Sequence, residues 1–250
     1  MFDSIPFGQT PVGKSKYAFD DIPKLAQERW QLNGGKYNDD GIEISYIGNS
    51  SGYRTKEWQE FNWENCIIFL GDSATYGHGS AEIRTIPKIV EQKLDKECVN
   101  FAIPGASSEL IINISCVIIN EIKPKTVVLC HPSMPRIWDP IGSTGNLGPW
   151  LEYAKGYAKE SYELYEVWNK VKQRQIHKCV TNALTLRTLW KDVELIEWAW
   201  DKEVADLLSV PYYQYFGHDT VNLSRDGYHA NKNVHNVIAK EIINAYTKNR

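Results

Sequence analysis

Hydrophobic residues follow two rhythms in this chain. Short, mostly apolar runs occur at Cys66 to Leu70, Cys98 to Phe101 and Thr126 to Cys130, and Val193 to Trp198 reads as a fourth strand. Runs of this length, too short for helices, read as strands buried on both faces. Between them the apolar spacing turns helical. Ala81 to Leu94 is one helix, with Pro87 either a blemish in its middle or the sign that the helix begins there. Ser107 to Asn120 is strongly apolar and opens on capping residues, with Ser107 or Ser108 as N-cap. Asn231 to Tyr246 closes the chain as an amphipathic helix, with Val234, Val237, Ile238, Ile242 and Ala245 on one face. Strands alternating with helices predict an α/β domain, its sheet mostly parallel and covered on both faces.

The pattern is less regular at two places. Residues 1–60 are rich in turn formers, and Ile42 to Ile47 alternates at period two, the mark of a half-buried strand. This segment is expected to be an N-terminal extension that wraps a main domain spanning 61–250. Within that domain an insertion runs from about 132 to 192. Trp138 to Trp150 is Gly- and Pro-rich loop, and Glu152 to Leu189 is helical in composition. So long a crossover exceeds the usual strand-helix-strand connection, and part of it is expected over the site as a lid. Trp138, Trp150, Tyr153, Tyr157, Tyr162, Tyr165 and Trp168 crowd this insertion. They read as packing of lid on body ahead of a platform for sugar rings. Trp190, Trp198 and Trp200 read as core.

Composition narrows the function. With 250 residues the chain can bury about 70–75% of its unfolded surface without a disulfide or metal staple. A net charge of -3 gives no basic surface for a phosphate backbone, so nucleic acid is not an expected partner. Cys66, Cys98, Cys116, Cys130 and Cys179 are odd in number and form no CxxC, so they read as buried free thiols in a reducing compartment. Met1 to Pro11 has neither a basic region nor a long apolar core, and no stretch approaches the ~20 residues that span a bilayer. A cytoplasmic protein with no membrane partner is expected. Release by lysis or packaging into a virus particle would leave no trace in the sequence.

Three segments carry chemistry. In Ile67-Ile68-Phe69-Leu70-Gly71-Asp72-Ser73 a hydroxyl follows directly on a strand's carboxyl end, where open α/β sheets bind ligands. Far downstream, Asp226-Gly227-Tyr228-His229 offers an acid and an imidazole three residues apart. A serine nucleophile needs such a base, and the base needs an orienting acid. The third segment, Val99 to Ser108, sets Gly105 between a strand and a helix, where a bare N–H can stabilise an oxyanion. Each alone has an ordinary reading as a turn or cap. His218, Asp219, Asp226, His229 and His235 cluster in sequence but lack HExxH-type spacing, so no metal and no cofactor is expected.

Taken together, these residues resemble the SGNH (GDSL-type) hydrolases over about 66–246. Gly71-Asp72-Ser73 is similar to the first block, Asn100 to Ser107 to the second, and Asp226 to His229 to the last. Asn49 to Arg54 resembles a segment that often precedes the first block. The resemblance implies a three-layer α/β/α sandwich with a flavodoxin-like sheet. It implies Ser73 as nucleophile, His229 as base, Asp226 as its acid, and the N–H groups of Ser73 and Gly105 as oxyanion donors. The third block departs from the pattern, because Val127 to Arg136 contains no asparagine where Gly-x-Asn is the rule. Ser133 is the candidate replacement donor. Asp72, His131, Arg136 and Trp138 are candidates for contact with substrate. The implied activity is hydrolysis of small acyl esters, with O-acetyl groups on carbohydrate foremost. An O-acyltransferase on the same fold, or a non-catalytic carbohydrate-binding or virion module, are the rivals.

Overall fold

In a computed structural model, residues 13–16, 44–138, 146–148, 159–213 and 229–248 can be described. In chain order the strands are β1 (Gly13–Lys16), β2 (Ser45–Gly48), β3 (Ile67–Leu70), β4 (Cys98–Asn100), β5 (Thr126–His131), β6 (Ile137–Trp138), β7 (Asn146–Leu147) and β8 (Glu194–Ala199). The helices are α1 (Ser73–Tyr76), α2 (Ile86–Leu94), α3 (Ser108–Glu121), α4 (Lys159–Asn169), α5 (Lys172–Leu189), α6 (Lys202–Leu208) and α7 (Lys232–Lys248).

The four apolar runs form one parallel sheet in the order β4-β3-β5-β8. Side chains alternate across a strand, so each run splits between two cores. Ile68, Leu70, Val127 and Leu129 face Ile111, Ile114 and Ile118 of α3 and Leu186 of α5. Ile67, Phe69, Val128 and Cys130 face Ile86 and Val90 of α2 and Ile238 and Ile242 of α7. Burial of each large aliphatic side chain contributes about 1.5–3 kcal/mol, which is why strands with two buried faces read as unbroken apolar runs. The chain leaves β3 for β4 on one side and then crosses back past β3 to β5. That reversal is the flavodoxin-like switch point, and it opens a crevice at the strands' carboxyl ends.

Helix ends follow the capping chemistry. The segment from Ala81 is a 3-10 turn, Glu82–Arg84, and α2 starts only after Thr85, whose hydroxyl accepts from Lys88 N–H. Pro87 therefore stands in the first turn, where its missing N–H costs nothing. The Ser107 hydroxyl caps α3 by accepting from Leu110 N–H, and the Asn231 carboxamide oxygen accepts from Asn233 N–H at the start of α7.

The structure also departs from the sequence reading. Val237 is 54% exposed, because α7 buries the stripe through His235, Ile238 and Ile242 instead. Cys116 lies on the outer side of α3 and is exposed, while the other four thiols are buried and all five are free. Helix α5 packs along α3 as part of the outer layer, with Leu186 and the following Trp190 in the core. The one-turn α1 and the short α6 carry no period long enough to read from sequence. Ile44 and Tyr46 turn inward beside Tyr76 and Ala102, as the period-two pattern predicts. Ile42, Glu43, Trp150, Tyr153 and Tyr157 lie outside the described residues. No helix among those described is long and apolar enough to cross a membrane.

Candidate active site

The first block turns sharply at the end of β3. Gly71 packs so closely that a Cβ there would sit 2.4 Å from Thr75 Oγ1 and 2.8 Å from Cys130 Cβ. Gly71→Ala is accordingly expected to destabilise the fold by about 1–3 kcal/mol, read as a lowered urea midpoint. An unchanged midpoint would show that the turn yields freely. Asp72 caps α1, its Oδ1 accepting from Ala74 N–H at 3.0 Å. Ser73 is the first helical residue, and its hydroxyl has no hydrogen-bond partner among the described residues. Gly77 ends the turn at φ +80°, in the left-handed region that glycine enters without strain.

Asp72 is wholly buried and holds several groups together. Besides Ala74 N–H, its Oδ1 accepts from the Trp200 indole N–H at 3.2 Å and meets the Cys130 thiol at 3.9 Å. Its Oδ2 accepts from Arg136 Nη1 at 2.5 Å. Burial beside this carboxylate pushes the Cys130 thiol well above its usual range. Neither Asp72 nor Cys130 is thereby presented to solvent. The Trp200 contact left no mark in the sequence, because it joins two strand ends 128 residues apart.

The second block lies against the first. Beyond β4, Phe101 N–H bonds Phe69 O at 2.9 Å and Ile103 N–H bonds Gly71 O at 3.1 Å. The Asn100 side chain accepts from Ala102 N–H at 3.1 Å and points its amide toward the Thr75 and Tyr76 carbonyls. A turn follows, with Ala106 N–H bonded to Ile103 O at 3.0 Å and Gly105 at φ +76°. Pro104 then Gly105 at its centre match a type II turn, which needs positive φ at its third residue. The Gly105 N–H has no partner among the described residues.

His229 stands just before α7. Its ring lies 4.6 Å from that of His78, centroid to centroid. The His78 backbone N–H in turn bonds Ser73 O at 2.9 Å. His229 is thus brought to the segment that follows the Ser73 turn. No hydrogen bond joins its ring to the Ser73 hydroxyl in the structure. Asp226 lies outside the described residues. His78 was missed by the sequence reading, although it falls in the loop directly after Ser73. Among the described residues no group of three or more His, Cys, Asp and Glu side chains is placed to hold a metal.

Two buried cationic or imidazole groups support this loop. Arg54 donates to the carbonyls of Tyr76, Gly77, Ser45 and Ser80, and its guanidinium lies over the Tyr46 and Tyr76 rings. Its segment begins with Asn49, whose side chain folds a tight turn by accepting from Ser51 and Tyr53 N–H. His235 is buried, and its Nδ1–H donates to Arg84 O at 2.8 Å. Burial pulls its pKa down from 6.5 to about 4. The unfolded chain therefore binds the proton more readily. Stability is complete above pH 6.5 and falls as pH drops from 6.5 toward 4, by at most about 3 kcal/mol. Urea midpoints at pH 7 and pH 4.5 should show this slope in the wild type and a shallower one in His235→Gln. Parallel slopes would assign the loss to other groups.

The third-block residues are engaged within the protein. His131 Nε2 is 2.9 Å from Glu197 Oε1, and Arg187 Nε donates to Glu197 at 2.8 and 3.1 Å. Burial raises the Glu197 carboxyl pKa, but the His131 and Arg187 contacts outweigh it and the net shift is downward. Ser133 is half-buried and its carbonyl accepts from Arg136 N–H at 3.3 Å. Arg136 is buried, with Nη1 reaching Asp72 and, at 3.5 Å, Ala106 O. Trp138 packs on the α3 core, Tyr165 on Leu147, and the Trp168 ring takes the Lys178 ammonium at 5.2 Å. Trp190, Trp198 and Trp200 are buried.

No protein-family model matches the chain, and no characterised protein matches it in sequence. Solved structures that it resembles include the psychrotrophic esterase EstA from Pseudoalteromonas sp., at 14% identity and TM-score 0.45 over 74% of this chain and 98% of that one. A lipase/acylhydrolase from Enterococcus faecalis matches at 11% and 0.43, over 72% and 94% of the two chains. The acetyl xylan esterase Est2A of the rumen bacterium Butyrivibrio proteoclasticus matches at 13% and 0.45, over 75% and 64%. The sheet order β4-β3-β5-β8, parallel and with helices packed on both faces, is that of an open, flavodoxin-like α/β fold.

Proposed function

We propose that the protein is a serine ester hydrolase acting on small acyl esters, foremost O-acetyl groups on carbohydrate. What carries this reading is the pairing of the two glycine-bounded turns. Ser73 and Gly105 follow neighbouring parallel strands that stay hydrogen-bonded past their ends, from Ile103 N–H to Gly71 O at 3.1 Å. A hydroxyl and two backbone N–H groups that have no partner among the described residues thus follow neighbouring strand ends at the switch point, which supports a shared site there.

In the proposed reaction Ser73 Oγ attacks the acyl carbon while His229 takes its proton. The N–H groups of Ser73 and Gly105 receive the oxyanion. Collapse breaks the bond to the alcohol, which leaves with the proton from His229. Water then attacks the acyl-enzyme with His229 again as base, releasing the acid and restoring Ser73. Asp226 is assigned as the acid that orients His229, on the strength of the Asp-x-x-His motif.

A fluorophosphonate probe tests the assignment. It should add one phosphonyl group per chain, located on Ser73 by peptide mass spectrometry. Acetate release from acetylated xylo-oligosaccharide without a sugar acceptor is the expected activity. Loss of acetyl from the donor only when an acceptor hydroxyl is supplied, with the acetyl recovered on that acceptor and no free acetate, would replace hydrolysis by transfer.

A further inference from the structure

The missing third-block asparagine leaves open what this chain uses at that corner of the site. The structure assigns the task to Arg136, acting as a clamp on the two turns instead of as a donor to the oxyanion. This inference rests on the ester hydrolase reading.

The geometry is specific. Arg136 enters from the loop after β5, the segment that carries the third block. Its Nη1 bonds Asp72 Oδ2 at 2.5 Å and reaches Ala106 O at 3.5 Å. Asp72 immediately precedes Ser73, and Ala106 immediately follows Gly105. One nitrogen thus spans the residues flanking both proposed oxyanion donors. The same Asp72 carboxylate is pinned by Ala74 N–H and the Trp200 indole, so the first turn cannot rotate alone.

The Arg136 loop is itself held from the outer layer. Lys178 of α5 donates to the Arg136 carbonyl and pairs with Glu109 of α3 at 3.2 Å. Asn182, one turn further along α5, donates to Ser108 Oγ at 2.8 Å, at the start of α3. Helix α5 therefore ties the third block to the helix that the Gly105 turn opens.

Arginine suits this role for a chemical reason. Its guanidinium is planar, stays charged when buried, and offers several N–H groups at fixed angles. A lysine ammonium can neutralise Asp72, but its flexible stem and freely rotating N–H groups fix neither contact in place. Preorganised donors stabilise an oxyanion only if they do not have to move during reaction. Loosening the clamp should therefore slow chemistry and leave binding of the ester unchanged.

Arg136→Lys is the deciding variant, since it keeps the buried charge. Its kcat for p-nitrophenyl acetate should fall roughly 10- to 100-fold, with KM within about twofold, a loss confined to the transition state. The affinity of a phosphonate transition-state analogue should fall in parallel. In Arg136→Ala, millimolar guanidinium should restore at least tenfold of the lost kcat. If that variant does not fold, Arg136→Lys decides alone. A kcat within twofold of wild type in Arg136→Lys overturns the inference. So does a rise in KM with kcat unchanged, which would make Arg136 a substrate contact. Wild-type protein that fails to hydrolyse any acyl ester defeats the ester hydrolase reading itself. An active wild type with an indifferent Arg136 defeats only the clamp.

Discussion

Ser73→Ala should lower turnover of p-nitrophenyl acetate by roughly 10⁴- to 10⁶-fold while leaving the fold intact. The hydroxyl makes no hydrogen bond among the described residues, so its loss takes nothing from stability. His229→Ala should cost a similar factor, because a serine without a base is a poor nucleophile near neutral pH. The two losses should not add in the double variant, since the proposed reaction uses serine and imidazole as one unit. A Ser73→Ala protein that keeps more than a tenth of wild-type turnover would remove Ser73 from the reaction. Independent, multiplying losses would show that the two residues serve different steps.

Asp72→Ala should destabilise the protein by about 3–5 kcal/mol, the cost of breaking a buried ion pair from one side. The substitution removes the carboxylate that Arg136 faces and strips an acceptor from Trp200 and from Ala74 N–H. For a chain of this length the loss corresponds to a melting temperature lowered by roughly 6–20 °C. Asp72→Asn should be milder, because an amide oxygen still accepts from Ala74 and Trp200. Thermal unfolding followed by circular dichroism gives the comparison. Asp72→Ala melting within 2 °C of wild type would mean that the buried pair contributes no net stability. The carboxylate would then be retained for its placement of Ser73 alone.

The strands were the most legible part of the chain. Burial on both faces needs unbroken apolar runs, and Ile67 to Leu70 and Thr126 to Cys130 have no other use in a protein of this charge. Helix starts were legible to within a residue where capping residues stood together, as at Ser107 and Ser108, of which Ser107 is the cap. Pro87 left two readings open, and only the turn from Ala81 through Thr85 decided between them. Val237 shows the limit of periodicity. Spacing put it on the apolar face with Val234, Ile238, Ile242 and Ala245, and the packing of α2 against α7 leaves it facing solvent.

The candidate site divides in the same way. Gly71, Ser73 and Gly105 could be picked out because turn glycines and a strand-end hydroxyl follow local rules of backbone geometry, and His229 because an acid stands three residues before it. Asp72 and Arg136 could be suspected of chemistry but not paired, for nothing in a linear pattern links residues 64 apart. Trp200 could be read as core but not as a partner of Asp72, and His78 carried no signal, since each takes its role from what it touches. The sequence by itself determined the parallel sheet, the position of Ser73 at a strand end and the turn that bares Gly105. Those features depend on short-range sterics and on which positions avoid water. Only the tertiary structure decided that a buried Asp72–Arg136 pair joins the first and third blocks. Such a pair forms when strand order and helix packing bring distant charges into a common site closed to water.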